Sequence, residues 1–431
     1  MTIEAKPPAL RGDPVGIGVD FGTTNSAVAL VYADGHVDSL VWPSQQEPTA
    51  TFRTALIFWR EGRRVVHAAG PRAIARAAEP PGEQRFIQSL KTHLASPLFS
   101  DTRLYGQRFT IEDLIAIFLR HLFDGCDVPR GCTTIGGRPV VFAGGSADEA
   151  LACARLQAAF AQAGRPPVEF AYEPLGAAYW YARTLQRDET VLVADFGGGT
   201  SDFSILRFSR TGGRLVSEAL AHSGVGIAGD TFDYRLIDHA VAPHLGKSAT
   251  YRSFDKRLPI PAYFHAAFAH WHQLSWLKSG DALPALRKLA AVSDRPAELT
   301  SLIAIIEMDM GFALYRAIGD LKAQLSRDER APFRFEADGV RIETEVARAD
   351  FEDWIAPDLA AMEAAIDQAL ARASLTEAAI DAVFMTGGTS YVPAVRRLFD
   401  RRFAAGRIHQ GDAFQSVASG LALLAADRAR G

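Results

Sequence analysis

The chain has 431 residues, enough at roughly 150 per domain for two or three domains. Its 46 Lys and Arg against 50 Asp and Glu leave a net charge of −4, which offers no electrostatic footprint for nucleic acid or an anionic membrane surface. With 48% hydrophobic and 22% charged residues it reads as a folded globule, and three cysteines (Cys126, Cys132 and Cys153) are too few for a disulfide framework.

The opening MTIEAKPPALRGDP places an acidic residue and two prolines where a secretory signal needs a basic and then an apolar run. The longest apolar runs, such as Leu114 to Leu119, fall far short of the ~20 residues that span a bilayer. A cytoplasmic, reducing setting is expected. Lysine is scarce: Lys6, Lys91, Lys247, Lys256, Lys278, Lys288 and Lys322 are the whole set, so a lysine at a mechanistically sensible place carries extra weight.

The first strong signal is Gly16 to Val31, GIGVDFGTTNSAVALV, an apolar strand, a turn of glycine and hydroxyl residues, and an alternating second strand. Proline and charge clusters from Pro43 to about Arg120 suggest an insertion. Val191 to Leu206, VLVADFGGGTSDFSIL, repeats the first pattern, with Asp20 and Asp195 in equivalent places. Both copies read as hairpins, which separates them from the strand–turn–helix dinucleotide fingerprint, and no GxxxxGK[ST] occurs. Gly22, Gly197, Gly198 and Gly199 permit close backbone approach, so successive N–H groups can form an anion nest, and Thr23, Thr24, Thr200 and Ser201 add hydroxyls. An aspartate at the mouth of such a nest repels phosphate unless a cation lies between, and Mg²⁺ suits carboxylates, water and phosphate oxygens. One such turn alone reads equally as a tight hairpin; two matched copies point to a magnesium nucleotide held between two lobes.

Further along, about Gly229 to Ala349 reads as a second insertion. Within it Tyr263 to Lys278 is aromatic-rich, an interaction surface or, as large apolar side chains more often are, a packed core. His265, His270 and His272 lack the cysteines or HExxH spacing of a metal site. Near the end, Ala382 to Pro393 (AVFMTGGTSYVP) reads as strand, glycine turn and helix, able to approach a ring or phosphate but equally an ordinary connection.

In order, VGIGVDFGTTNSAVAL, AYEPLGAAYWYA, VLVADFGGGTSDFSIL, GVGIAGDTFDYRLI, LKAQLS and VFMTGGTSYVP resemble the ATPase domain of the seventy-kilodalton heat-shock chaperone family, within the actin, sugar-kinase and heat-shock superfamily. The chain also resembles the short bacterial YegD-like members. The resemblance implies an α/β, two-lobed actin-like ATPase of duplicated ribonuclease H-like lobes: 1–187, 188–411, and a C-terminal 412–431 helix returning to the first lobe. It implies ATP or ADP with Mg²⁺, and a place for K⁺. Asp20, Glu173 and Asp195 match residues that hold the metal, mostly through water. Gly22, Thr23, Thr24, Asn25 and Gly197, Gly198, Gly199 and Thr200 match the phosphate cradle, with Asp202 in the same polar cluster. Lys91 in QSLKTHL resembles the lysine that reaches the γ-phosphate, Glu173 and Asp195 would orient the attacking water, and Thr200 completes the catalytic set. Pro139 resembles a proline that couples nucleotide state to domain movement. Gly229, Asp230, Lys322, Ser326, Gly387, Gly388, Thr389, Tyr391 and Asp412 match the nucleoside pocket.

The departures are Gly319 and Ala323 beside Lys322 in place of a glutamate and an arginine, and Tyr391 in place of an adenine-stacking arginine. After Ser416 to Ala426, which resembles the last ATPase helix, no peptide-binding domain or lid is read, so peptide holding by the usual route is not expected. The function implied is a slow Mg²⁺-dependent ATPase whose lobe closure follows the nucleotide and reports to a protein partner or exchange factor. Two alternatives stand beside it: a small-molecule kinase of the same superfamily, and a non-catalytic nucleotide-sensing scaffold or actin-like polymer.

Overall fold

The computed structural model describes residues 12–44, 47–77, 79, 84–124, 132–142, 147–165, 168–211, 214–269, 274, 277–278, 281–411 and 415–429. By compactness the chain divides into two units, one of 1–228, 361–390 and 395–431 and the other of 229–360 and 391–394.

The first unit is α/β and carries two mixed sheets. In one, the order is Val168–Tyr172, Thr134–Arg138, Gly16–Phe21, Asn25–Val31 and Val37–Ser39, with Phe52–Arg53 also pairing to Asn25–Val31. In the other it is Ile408–Gln410, Ala382–Thr386, Glu189–Phe196, Ser201–Thr211 and Arg214–Val225. Both sheets start with two parallel pairings and finish with two antiparallel ones. The repeat in the sequence is thus a repeat in topology. Gly16–Phe21 and Glu189–Phe196 are buried almost throughout, as strands with a parallel neighbour and two covered faces must be.

Two helices bring the first sheet's parallel strands to their working position. Glu173–Ala182 begins directly after Val168–Tyr172, with Pro174 in its first turn, where a missing N–H costs nothing. Ser416–Ala429 (SVASGLALLAADRA) is made largely of small residues and packs against that helix so closely that a Cβ on Gly420 would lie 1.7 Å from Gly176 O. Backbone-to-backbone contact of this kind fixes one helix on the other, because any added side chain would push them apart. The stretch from 52 to 122 adds a three-stranded sheet (Arg64–Ala69, Ala55–Glu61, Gln84–Gln88), the hairpin Asp101–Leu104 and Gln107–Thr110, and the helix Ile111–Leu122. That helix starts on a Thr110/Asp113 capping box and buries Phe118 against Phe21 and Phe52.

The second unit contains the helices Pro296–Glu307 and Gly311–Leu325 and the hairpin Arg330–Ala337 with Val340–Ala347, whose first strand alternates exposed and buried along its length. In the aromatic-rich segment Phe264, Phe268, Leu274 and Leu277 are buried, Tyr263 is half exposed, and the buried His265 ring meets Leu245 O at 3.0 Å. The packed-core alternative therefore fits its described residues. His270 and His272 lie outside those residues. Among the described residues no helix is long and apolar enough to cross a membrane.

Candidate functional site

Asp20 and Asp195 each stand one residue before the end of the inner strand of their hairpin, and the two turns that follow approach each other. A Cβ built on Gly199 would lie 3.8 Å from Thr23 Oγ1. The first turn is tight: a Cβ on Gly22 would be 2.1 Å from Asn25 O, so no larger residue fits there without moving backbone. It is tied at its far side by Thr54 N–H donating to Thr24 O at 2.9 Å and by the 2.8 Å hydroxyl contact of Ser26 with Thr54. The second turn closes on Gly197 N–H donating to Thr200 O at 2.9 Å. The two glycine turns expected to cradle phosphate therefore face one another within one compact unit.

Charge gathers beside them. Lys91, on the single 3₁₀ turn Leu90–His93, donates from Nζ to Glu173 Oε1 in a buried ion pair. Glu173 opens its helix, so its carboxylate lies at the positive end of the helix dipole. A Cβ on Gly137 would fall 2.9 Å from Glu173 Cγ, so this glycine leaves the space that the glutamate fills. Asp202 faces Asp195 across the second hairpin; its Oδ2 accepts from Thr200 Oγ1 at 3.0 Å and its Oδ1 from Val141 N–H at 3.3 Å.

Burial, then the negative charge of Glu173, pushes the Asp20 carboxyl well above the usual range, with Asp195 adding to the rise and Lys91 opposing it. The same order of causes, burial and then Glu173 and Asp202, lifts Asp195 well above its ordinary value. Asp202 is pushed up to about 7, chiefly by burial and Glu173, while the hydrogen bonds from Thr200 and Val141 pull it down. For Lys91 burial acts to lower the pKa, but Glu173, Asp20 and Asp195 outweigh it and hold the ammonium charged. Four carboxylates thus share Lys91 as the cation that acts on them. Such a cluster is short of positive charge, and a cation is the simplest complement.

This donor set fits hydrated Mg²⁺. Among the described residues no three His, Cys, Asp or Glu side chains are close enough to hold a metal ion directly, which is compatible with the expected contact of Asp20, Glu173 and Asp195 through water.

The third glycine turn backs onto the second. Gly387 has φ +85°, and a Cβ on it would lie 2.0 Å from Phe196 O. Thr389 Oγ1 donates to Gly197 O at 3.5 Å, and the buried Ser390 Oγ donates to Gly387 O at 2.6 Å. Gly388 is exposed. After the strand Ala382–Thr386 the chain makes a 3₁₀ turn, and the helix Pro393–Arg402 follows.

The remaining expected nucleoside residues, Asp412 aside, are in the second unit. Lys322 pairs with Asp233 at 2.7 Å and donates to Gly229 O at 3.1 Å, while Ser326 Oγ donates to Lys322 O at 2.9 Å within its own helix. Gly229 and Asp230 open the helix Gly229–Leu236, and Tyr391 is half exposed. Asp412 lies outside the described residues. A cavity of about 200 Å³ in this unit, lined by His239, His244, Glu345, Asp350 and Trp354 among others, includes none of the expected site residues.

Sequence reasoning passed over Gly137 and Thr54. The paired glycines before Arg138 carry a signal for close approach at a strand end, whereas nothing local marks Thr54 as the brace of the first turn.

The Hsp70 protein family model matches residues 157–258 and 310–427, more than half of the chain. The match takes in Glu173, the second hairpin, Lys322 and the third glycine turn; the first hairpin and Lys91 precede it. The chain belongs to the Hsp70 protein family, whose members are ATP-binding, chaperone-type ATPases of actin-like fold.

Proposed function

We propose that this protein binds ATP with Mg²⁺, hydrolyses it slowly with water as acceptor, and changes closure with the nucleotide as a chaperone-like switch. The observation that carries the reading is the cluster of Asp20, Lys91, Glu173, Asp195 and Asp202 beside two facing glycine turns. In this reading the backbone N–H groups of Gly22 to Asn25 and Gly197 to Thr200 cradle the β- and γ-phosphates. Asp20, Glu173 and Asp195 hold the hydrated metal ion, which when bound neutralises phosphoryl charge. Lys91 leaves Glu173 for the γ-phosphate, where a fixed positive charge favours phosphoryl transfer. Glu173, freed of its lysine, and Asp195 orient the attacking water. Asp202 keeps Thr200 in place from behind.

The nucleoside would take Lys322, Ser326, Gly229, Asp230, Gly387, Gly388, Thr389, Tyr391 and Asp412, and the cradle's two hairpins would belong to duplicated ribonuclease H-like lobes. Val141, which donates to Asp202, follows Pro139 by two residues, and this supports a path from the phosphate site to the segment after Pro139. The similarity to short YegD-like members and a protein partner or exchange factor belong to the same proposal. Phosphate release by the purified protein, measured with ATP in the presence and absence of Mg²⁺, tests it. The expected result is slow, Mg²⁺-dependent release that falls steeply in Asp195→Asn; unchanged release in that variant removes Asp195 from its assigned role.

A further inference from the structure

Lys91 sits on a short turn whose place in the fold is set in part from outside it. Leu90–His93 is one 3₁₀ turn, a form with poor hydrogen-bond geometry, closed by Thr92 N–H donating to Ser89 O at 3.1 Å and Leu94 N–H donating to Lys91 O at 3.2 Å. Ser89 enters it at φ +55°, in the left-handed region that a side chain disfavours. The carbonyls at and after its end converge on one side chain from elsewhere in the fold. Arg155, in the helix Glu149–Gln162 and 7% exposed, donates from Nη1 to the carbonyls of His93 at 3.2 Å, Leu94 at 2.9 Å and Ser96 at 3.0 Å, and from Nη2 to Phe99 O at 2.7 Å. Its Nε lies 3.4 Å from Glu112 Oε1 in the helix Ile111–Leu122. The helix Glu149–Gln162 grips the segment again at its N-cap, where Asp148 N–H donates to Ala95 O at 2.9 Å. A buried arginine whose fork is spent on four backbone carbonyls is costly to desolvate, and its planar array of donors suits the convergence as an ammonium does not.

We propose that Arg155 is the positioning residue for Lys91: by fixing residues 93 to 99 it sets where the lysine's turn, and therefore its ammonium, stands relative to the terminal phosphate. Arg155 acts through the loop, its guanidinium engaged with backbone carbonyls and Glu112. The proposal rests on the reading of Lys91 as a γ-phosphate group. A displacement of about 1 Å in a group of this kind can cost on the order of 100-fold in rate, which makes the clamp consequential for turnover while leaving the rest of the cradle intact.

The test is a double-mutant cycle of Arg155→Lys with Lys91→Met, read by single-turnover hydrolysis of Mg·ATP and by calorimetric affinity for Mg·ADP. The expected result is a loss of about tenfold or more in the Arg155→Lys hydrolysis rate, with ADP affinity held within about twofold and no further loss when Lys91 is already methionine. An unchanged rate in Arg155→Lys, additive losses in the double variant, or an equal fall in ADP affinity would each overturn the positioning role. A Lys91→Met protein that hydrolyses ATP as the parent does would instead overturn the reading of Lys91, a distinct outcome. Should Arg155→Lys fail to fold, Glu112→Gln, which removes the charge facing Nε, is expected to shift the same readout in the same direction by a smaller factor; no shift in it counts against the clamp.

Discussion

The two glycine hairpins share strand order, pairing sense and the position of an aspartate, yet they differ in charge. In the first, Asp20 pairs across the hairpin with Ala27; in the second, Asp195 pairs with Asp202. The first turn is sterically closed around Gly22, whereas the second has open space at Gly199, where the nearest atom to an added Cβ is Thr23 Oγ1 at 3.8 Å. A duplicated backbone thus supplies two similar cradles while acidity concentrates on the second copy. The lesson is that a repeated backbone need not carry repeated charge: Asp20 faces Ala27, whereas Asp195 faces Asp202.

The largest effect should come from removing the cation the two hairpins share. Lys91→Met leaves Glu173 buried without its partner and should lower stability by about 3–5 kcal/mol in urea titrations without nucleotide, unless a proton or metal ion takes the lysine's place. Added Mg²⁺ should recover part of that loss.

Next in size is the asymmetry itself. Asp195→Asn should reduce turnover at saturating Mg·ATP by about 100-fold or more, and Asp20→Asn by a smaller factor. Equal losses would mean that the charge difference between the hairpins has no mechanistic weight.

Asp202 sharpens the comparison through pH. Its folded pKa of about 7 stands above the ~3.9 of an unfolded aspartate, so its contribution to stability is complete below about pH 4 and is lost as pH rises through about 7. Metal-free Asp202→Asn should therefore gain on the parent protein in stability between pH 5 and pH 8, as followed by thermal melts. A constant difference across that range would contradict the raised pKa.

The smallest effects separate the two turns sterically. Gly22→Ala forces a clash with Asn25 O and should cost about 1–3 kcal/mol and weaken nucleotide binding, while Gly199→Ala should stay within about 0.5 kcal/mol. Chemical denaturation of the two variants side by side decides this.

Much of this was legible in the sequence because it rested on local pattern. Alternation on both sides of DFG-type turns marks hairpins, and the order of motifs marks the family. Lys91 was harder to place, since a four-residue 3₁₀ turn has no periodicity and its flanking residues match the family poorly. Arg155 was invisible: an arginine in a helix ordinarily reads as a solvated side chain, and only the folded loop brings four carbonyls to it. The nucleoside residues illustrate a further limit. Lys322 is expected at the ribose from its motif, yet in the fold it is paired to Asp233 and to Gly229 O, contacts that no spacing rule reveals.

The central claim, a metal-bridged triphosphate held by two facing glycine turns, is tested most directly by isothermal titration calorimetry of the full chain with ATP, with and without Mg²⁺. The account predicts saturable, Mg²⁺-dependent binding at one site per chain that is weakened in Gly22→Ala. Absence of binding heat with Mg·ATP at several temperatures, or affinity indifferent to both Mg²⁺ and Gly22→Ala, would contradict it.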